Sequence, residues 1–96
     1  MIVYMVDRSG KTFRQSVRTV EKRGYDLSRL ELTINLLASG KPMPSKYRDH
    51  SLVGNYSGYR ECHVDGIGDW LLIYKKDNQR LILVLTITGT HSDLFG

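Results

Sequence analysis

The chain has 96 residues, 41% of them apolar and 25% charged, which suits one compact domain with a single core and leaves no room for a second module. Lys and Arg outnumber Asp and Glu by 14 to 10, and a pI near 9.4 favours polyanionic partners, nucleic acid ahead of an acidic protein. The longest apolar run, Leu81 to Leu85, is too short to cross a bilayer, Met1 to Val6 lack the pattern of a secretory leader, and the lone Cys62 rules out an internal disulfide or a thiol-built zinc knuckle; no membrane contact and a cytoplasmic location are the expectation.

Ile2 to Val6 is short, apolar and β-branched, the pattern of a buried strand. Ser9 then offers a cap for a helix of about four turns, in which Phe13, Val17 and Val20 recur at helical spacing and Gly24 closes the C-terminus in a left-handed conformation. Its other face carries a basic stripe of Lys11, Arg14, Arg18, Lys22 and Arg23. Asp26 and Ser28 are both usable caps for a second helix over about Leu27 to Ser39, Ser28 and Glu31 having capping-box spacing. Leu30, Ile34 and Leu37 form its apolar face, and Gly40, Pro42 and Pro44 end it, so that the tight link at Gly24 makes a helical hairpin.

Lys41 to Gly58 reads as loop, with a charged cluster of Lys46, Arg48, Asp49 and His50 and a brief strand around Ser51 to Val53. Three stronger strands follow, Tyr59 to Asp65, Asp69 to Lys76 and Arg80 to Thr88, joined by turns at Gly66-Ile67-Gly68 and Asp77-Asn78-Gln79 that force antiparallel hairpins. The order predicts an α+β domain: an N-terminal strand and a two-helix hairpin packed on one face of a twisted, mainly antiparallel sheet of four or five strands.

Alternation along the first of these strands puts Arg60, Cys62 and Val64 on one face and Tyr59, Glu61, His63 and Asp65 on the other. Cys62 and Val64 mark the core side, so His63 is expected beside Glu61 on a face open to water or a ligand. His50 precedes the sheet and His91 follows its last strand. Because neighbouring strands lie about 5 Å apart, side chains distant in sequence can meet on one face. Zinc held by the histidines and Asp69 is disfavoured by the lack of any short ligand seed, and no metal or cofactor is expected. Trp70 and Phe95 fall near His63 and His91. Each is either a core ring, the expectation more for Trp70 than for Phe95, or an exposed platform on which an unpaired base can stack.

Four ordered blocks carry a specific resemblance. They are Lys46-Tyr47-Arg48-Asp49-His50-Ser51-Leu52, Gly54-Asn55-Tyr56-Ser57-Gly58-Tyr59-Arg60-Glu61-Cys62-His63, Asp69-Trp70-Leu71-Leu72-Ile73-Tyr74 and Gly89-Thr90-His91-Ser92-Asp93-Leu94-Phe95. Together they resemble the YafQ branch of the RelE/ParE toxin superfamily, whose microbial-RNase-like layout also matches the preceding strand and helical hairpin. The resemblance implies a ribosome-dependent messenger RNA endonuclease, the toxin of a type II pair, neutralised by an acidic RelB- or DinJ-like antitoxin. It implies catalysis by His50, His63, Asp69 and His91, with Trp70 and Phe95 lining the site, Glu61 in an acidic position and Arg60 as a phosphate-binding arginine. In one place the sequence departs from the family pattern. The turn from Val64 to Gly68 is about two residues longer, so a catalytically disabled RNA- or protein-binding module of the same fold is the alternative.

Metal-free cleavage of RNA needs a base for the ribose 2′-hydroxyl, a cation for the pentacoordinate phosphorus and an acid for the departing 5′-oxygen. The expected assignment is His50 as base and His91 as acid, with His63 and Arg60 on the phosphate and Asp69 or Glu61 orienting a histidine. Lys46, Arg48 and the stripe of Lys11, Arg14 and Arg18 are expected to anchor ribosomal RNA and to bind unspecifically through phosphates.

Overall fold

The computed structural model describes residues 3–96. The elements run β1 (Met5–Asp7), α1 (Lys11–Lys22), α2 (Leu27–Ala38), β2 (His50–Ser51), β3 (Arg60–His63), β4 (Trp70–Asp77), β5 (Ile82–Thr90) and α3 (His91–Phe95), with short 3-10 turns at Ser45–Tyr47, Gly54–Tyr56 and Val64–Gly66. The strands form one 5-stranded sheet in the order β1-β5-β4-β3-β2, antiparallel except for the parallel β1–β5 pair. This is the α+β architecture expected from the order of elements.

The helical hairpin covers one face of the sheet because its apolar spacing demands it. Phe13 and Val20 of α1 and Leu30, Ile34, Leu37 and Ala38 of α2 are buried against Cys62, Val64, Trp70, Leu72, Tyr74, Leu83 and Leu85. Burial pushes the Cys62 thiol up to about 12, so it stays a neutral core group. On the other face Leu71, Ile73 and Leu94 are buried, with Leu52, Tyr59 and Ile87 packed around them. Both faces of β4 are therefore covered, which explains its nearly unbroken apolar run from Trp70 to Tyr74.

Several boundaries differ from the sequence reading for local reasons. The first strand starts at Met5 instead of Ile2, which lies outside the described residues; before it, the amides of Val3 and Tyr4 bond to Ala38 O at 2.8 and 3.0 Å. Ser9 does not cap α1, since its amide and hydroxyl both bond to the Asp7 carboxylate; Gly10 takes the cap position, and the helix has 12 residues, nearer three turns than four. Asp26 caps α2 by accepting from the Ser28 amide, and no Ser28–Glu31 box forms because Glu31 binds Arg8 in a two-point pair at 2.5 and 2.7 Å.

Beyond the helices, β2 is His50–Ser51 rather than Ser51 to Val53, and Val53 turns out to solvent. β3 stops at His63, where Asp65 adopts a left-handed φ of 59°. β4 and β5 each end later than expected, at Asp77 and Thr90, and the turn between them is closed by Asp77, whose carboxylate accepts the Gln79 and Arg80 amides.

Among the described residues no helix is long and apolar enough to cross a membrane. Ile34 is completely buried between the hairpin and the sheet. Ile34→Ala is expected to cost about 2–5 kcal/mol, read as a lower denaturant midpoint at unchanged slope.

Candidate active site

Strand register decides which groups meet. On the face away from the hairpin, His50 of β2 lies opposite Glu61 of β3, which lies opposite Ile73 of β4 and, beyond it, Ile87 of β5. Two residues along β3, His63 lies opposite Leu71, which faces Gly89 of β5. His91 begins α3 two residues after Gly89. The second apolar cluster is thus the floor of the face that carries His50 and His63, and His91 begins the helix whose Leu94 joins that cluster.

Two of the imidazoles are held by backbone carbonyls. His50 Nδ1 lies 2.6 Å from Arg48 O, and His63 Nδ1 lies 2.8 Å from Gly68 O. A carbonyl oxygen only accepts, so Nδ1 carries the hydrogen in both rings and Nε2 is left to exchange a proton. Arg48 can present its carbonyl this way because it sits in the left-handed region at φ 49°, reversing the chain after the 3-10 turn. His50 Nε2 is 3.6 Å from the Glu61 carboxylate, too long for a hydrogen bond and short enough for a charge interaction. Glu61 is 7% exposed, between His50 and the fully buried Ile73 in the sheet, so its side of β3 is less open than alternation alone implies.

α3, absent from the sequence reading, fixes His91. Thr90 and Asp93 form a reciprocal capping box, and Arg23 at the end of α1 grips Asp93 at 2.6 and 2.9 Å. That grip holds the Asp93 carboxyl well below the usual carboxylate range. Arg23 is therefore a structural cation and not a free member of the basic stripe. Gly89 makes the fold-back possible: a Cβ there would stand 2.9 Å from an Asp93 oxygen. Asp69 accepts the backbone amide of His91 at 3.1 Å, so it positions the start of α3 and not an imidazole ring.

The predicted phosphate-binding cations separate into three groups. Lys46 and Arg48 join His63, lining with Gly66 and Gly68 a polar cleft of about 380 Å³. Arg60 does not join them. It extends on the Cys62 side of β3, opposite Tyr74, where Asp49 and Ser51 accept from its guanidinium at 3.1 and 2.8 Å. Tyr74 donates to the same Asp49 carboxylate, and together they pin the segment that leads into His50. Lys11, Arg14 and Arg18 are exposed on α1, on the other side of the sheet from the histidines.

Trp70 is a core ring, the reading its sequence favours, and not the exposed base platform that site lining by the resemblance would require. It is 4% exposed, its indole N–H donates to Thr88 at 2.8 Å, and Tyr25 packs edge-on at 4.9 Å. Phe95 is exposed and lies 5.0 Å from the His91 ring. The sequence reading missed the ring that continues this row. Tyr56 packs on Phe95 at 5.5 Å and on Tyr59 at 6.4 Å, and Lys75 Nζ lies 5.2 Å over Tyr59. The available signal was a glycine-flanked pair of tyrosines next to the His63 strand. Among the described residues no group of three or more His, Cys, Asp or Glu side chains is disposed to hold a metal ion.

This geometry coincides with a family match over most of the chain. Residues 5–96 fit the model of the YafQ bacterial toxins of type II toxin–antitoxin systems. The chain belongs to that family. It is 38% identical over 97 aligned residues, spanning 100% of both chains, to the mRNA interferase toxin YafQ of Escherichia coli strain K12. It superposes on crystalline YafQ of E. coli BL21(DE3) with a TM-score of 0.85 at 34% identity, covering 97% of this chain and 99% of that one. Against the toxin in the E. coli DinJ–YafQ toxin–antitoxin complex the TM-score is 0.84 at 35% identity, covering 99% and 100%.

The carbonyl contacts lead to a direct expectation. Two-bond 15N–1H spectra of the neutral imidazoles are expected to show the Nδ1–H tautomer for both His50 and His63. An Nε2–H pattern at either ring would refute the proton placement.

Proposed function

We propose that this YafQ-family toxin is an endoribonuclease that cleaves messenger RNA at the ribosome, by general acid–base catalysis between histidines and without a metal. The observation that supports it is a sheet face bearing His50 and His63, each with Nε2 in no hydrogen bond among the described residues, and His91 at the start of the helix whose Leu94 packs on that face. In the proposed reaction His50 Nε2 takes the proton of a ribose 2′-hydroxyl and the 2′-oxygen attacks the adjacent phosphorus. His91 protonates the 5′-oxygen as the P–O5′ bond breaks, leaving a 2′,3′-cyclic phosphate and a 5′-hydroxyl. Lys46 and Arg48, beside His63, take the phosphate-stabilising part first expected of Arg60. Phe95 and Tyr56 offer faces to the flanking bases.

Action on ribosome-bound message fits the division of charge. Lys46 and Arg48 lie on the histidine side, while Lys11, Arg14 and Arg18 lie across the sheet, free to hold ribosomal RNA as message occupies the open face. An acidic, DinJ-like antitoxin is the proposed protein partner, drawn to the same basic surfaces.

His91→Ala and His50→Ala are each expected to lower the cleavage rate about 10²- to 10⁴-fold. End mapping on translating ribosomes decides the chemistry: a 5′-phosphate with a 3′-hydroxyl would exclude the scheme. Lys46→Gln and Arg48→Gln, measured by RNA binding in a His91→Ala background, are each expected to lower the log–log salt slope by about 0.7. An unchanged slope would remove that side chain from phosphate contact.

A further inference from the structure

We propose that Asp65, Arg29 and Thr33 form a brace between α2 and the turn after β3 that sets the tautomer and position of His63; the inference deepens the proposed function and rests on it for its catalytic consequence. The turn is costly as built. Asp65, Gly66 and Gly68 all have positive φ, at 59°, 69° and 71°, and only the glycines adopt that region freely. Within the turn itself, the Ile67 amide reaches Val64 O only at 3.4 Å.

Its support comes from α2. Arg29 Nε donates to Asp65 Oδ2 at 3.1 Å, and the Asp65 amide donates to Thr33 Oγ1 at 2.8 Å. Thr33 donates in turn to Arg29 O at 3.0 Å, so the two anchors, one helical turn apart on the same face, form a closed set with Asp65. Thr33 is a fully buried polar residue, and this set satisfies its hydroxyl. Lys46 lies across the outer side of the turn, where a Cβ on Gly66 would be 2.7 Å from its side chain.

The product of this construction is the Gly68 carbonyl, delivered 2.8 Å from His63 Nδ1. Without it nothing else bonded to the ring selects which nitrogen carries the hydrogen, because His63 has no other side-chain hydrogen bond among the described residues. Asp65, Arg29 and Thr33 are thus positioning residues acting through Gly68, and none of them needs to touch RNA.

The test uses the full chain carrying Thr33→Val, which keeps the buried shape and removes the hydroxyl, and separately Arg29→Gln, at a partly exposed position. The expected result in both is a mixture of Nδ1–H and Nε2–H forms at His63 with His50 unchanged. On ribosome-bound message kcat falls about 10- to 100-fold with KM within about twofold, and Thr33→Ser restores both readouts. A purely Nδ1–H His63 in both folded variants overturns the brace, whatever the rate. A mixed tautomer at unaltered kcat upholds the brace and instead removes His63 from the reaction, so the two ideas fail separately. If Thr33→Val does not fold, Arg29→Gln alone decides.

Discussion

Antiparallel register across β2, β3, β4 and β5 is the constraint on which the site depends. With a side-chain period of two, a slip of one residue between β3 and β4 would send Glu61 and His63 to the hairpin side and Cys62 to the open face. The slip is opposed because it would drive the polar Glu61 and His63 into the core that Cys62, Leu72 and Tyr74 form against the helices. The small second cluster forms the floor of the face that carries His50 and His63.

Charge is divided between holding the fold and meeting a ligand, and net charge conceals the division. Arg8, Arg23, Arg29 and Arg60 are each paired with a carboxylate on a distant segment: Glu31, Asp93, Asp65 and Asp49. Three of these pairs tie down chain next to a histidine, Asp93 below His91, Asp49 before His50 and Asp65 after His63. The guanidinium's forked donors suit such work, since they fix the direction of a segment as well as its distance. Lys46, Arg48 and the outer face of α1 are left to attract polyanions.

What was legible in the sequence followed from period. Phe13, Val17 and Val20, then Leu30, Ile34 and Leu37, announce two helices, and alternation from Arg60 to Val64 separates the two faces correctly. What was hidden depends on contacts between distant segments. Trp70 reads first as a core ring and second as a base platform, and the approach of Tyr25 and Thr88 decides for the core. Arg60 carries a phosphate-binding chemistry that Asp49 and Ser51 already occupy. The five residues of α3 are too few to show a helical period, although Thr90 and Asp93 have the three-residue spacing of a capping box.

Rigid strands and tuned loops divide the task at the site. β3 holds His63 in place through its ladder with β4, and β2 holds His50 through β3, but a ladder fixes a Cα and leaves the proton on an imidazole undetermined. Both rings obtain that last specification from a carbonyl in a left-handed loop, Arg48 for one and Gly68 for the other. Each loop is then anchored by one aspartate, Asp49 to Tyr74 and Arg60, Asp65 to Thr33 and Arg29. Proton transfer by a neutral imidazole requires a free nitrogen aimed at the substrate, and Nδ1, close to the ring's own backbone, is the poorer of the two for reaching outward. Committing Nδ1 to the backbone therefore leaves the better-placed Nε2 for chemistry, and it makes the proposed activity sensitive to loops that contribute little to the hydrophobic core.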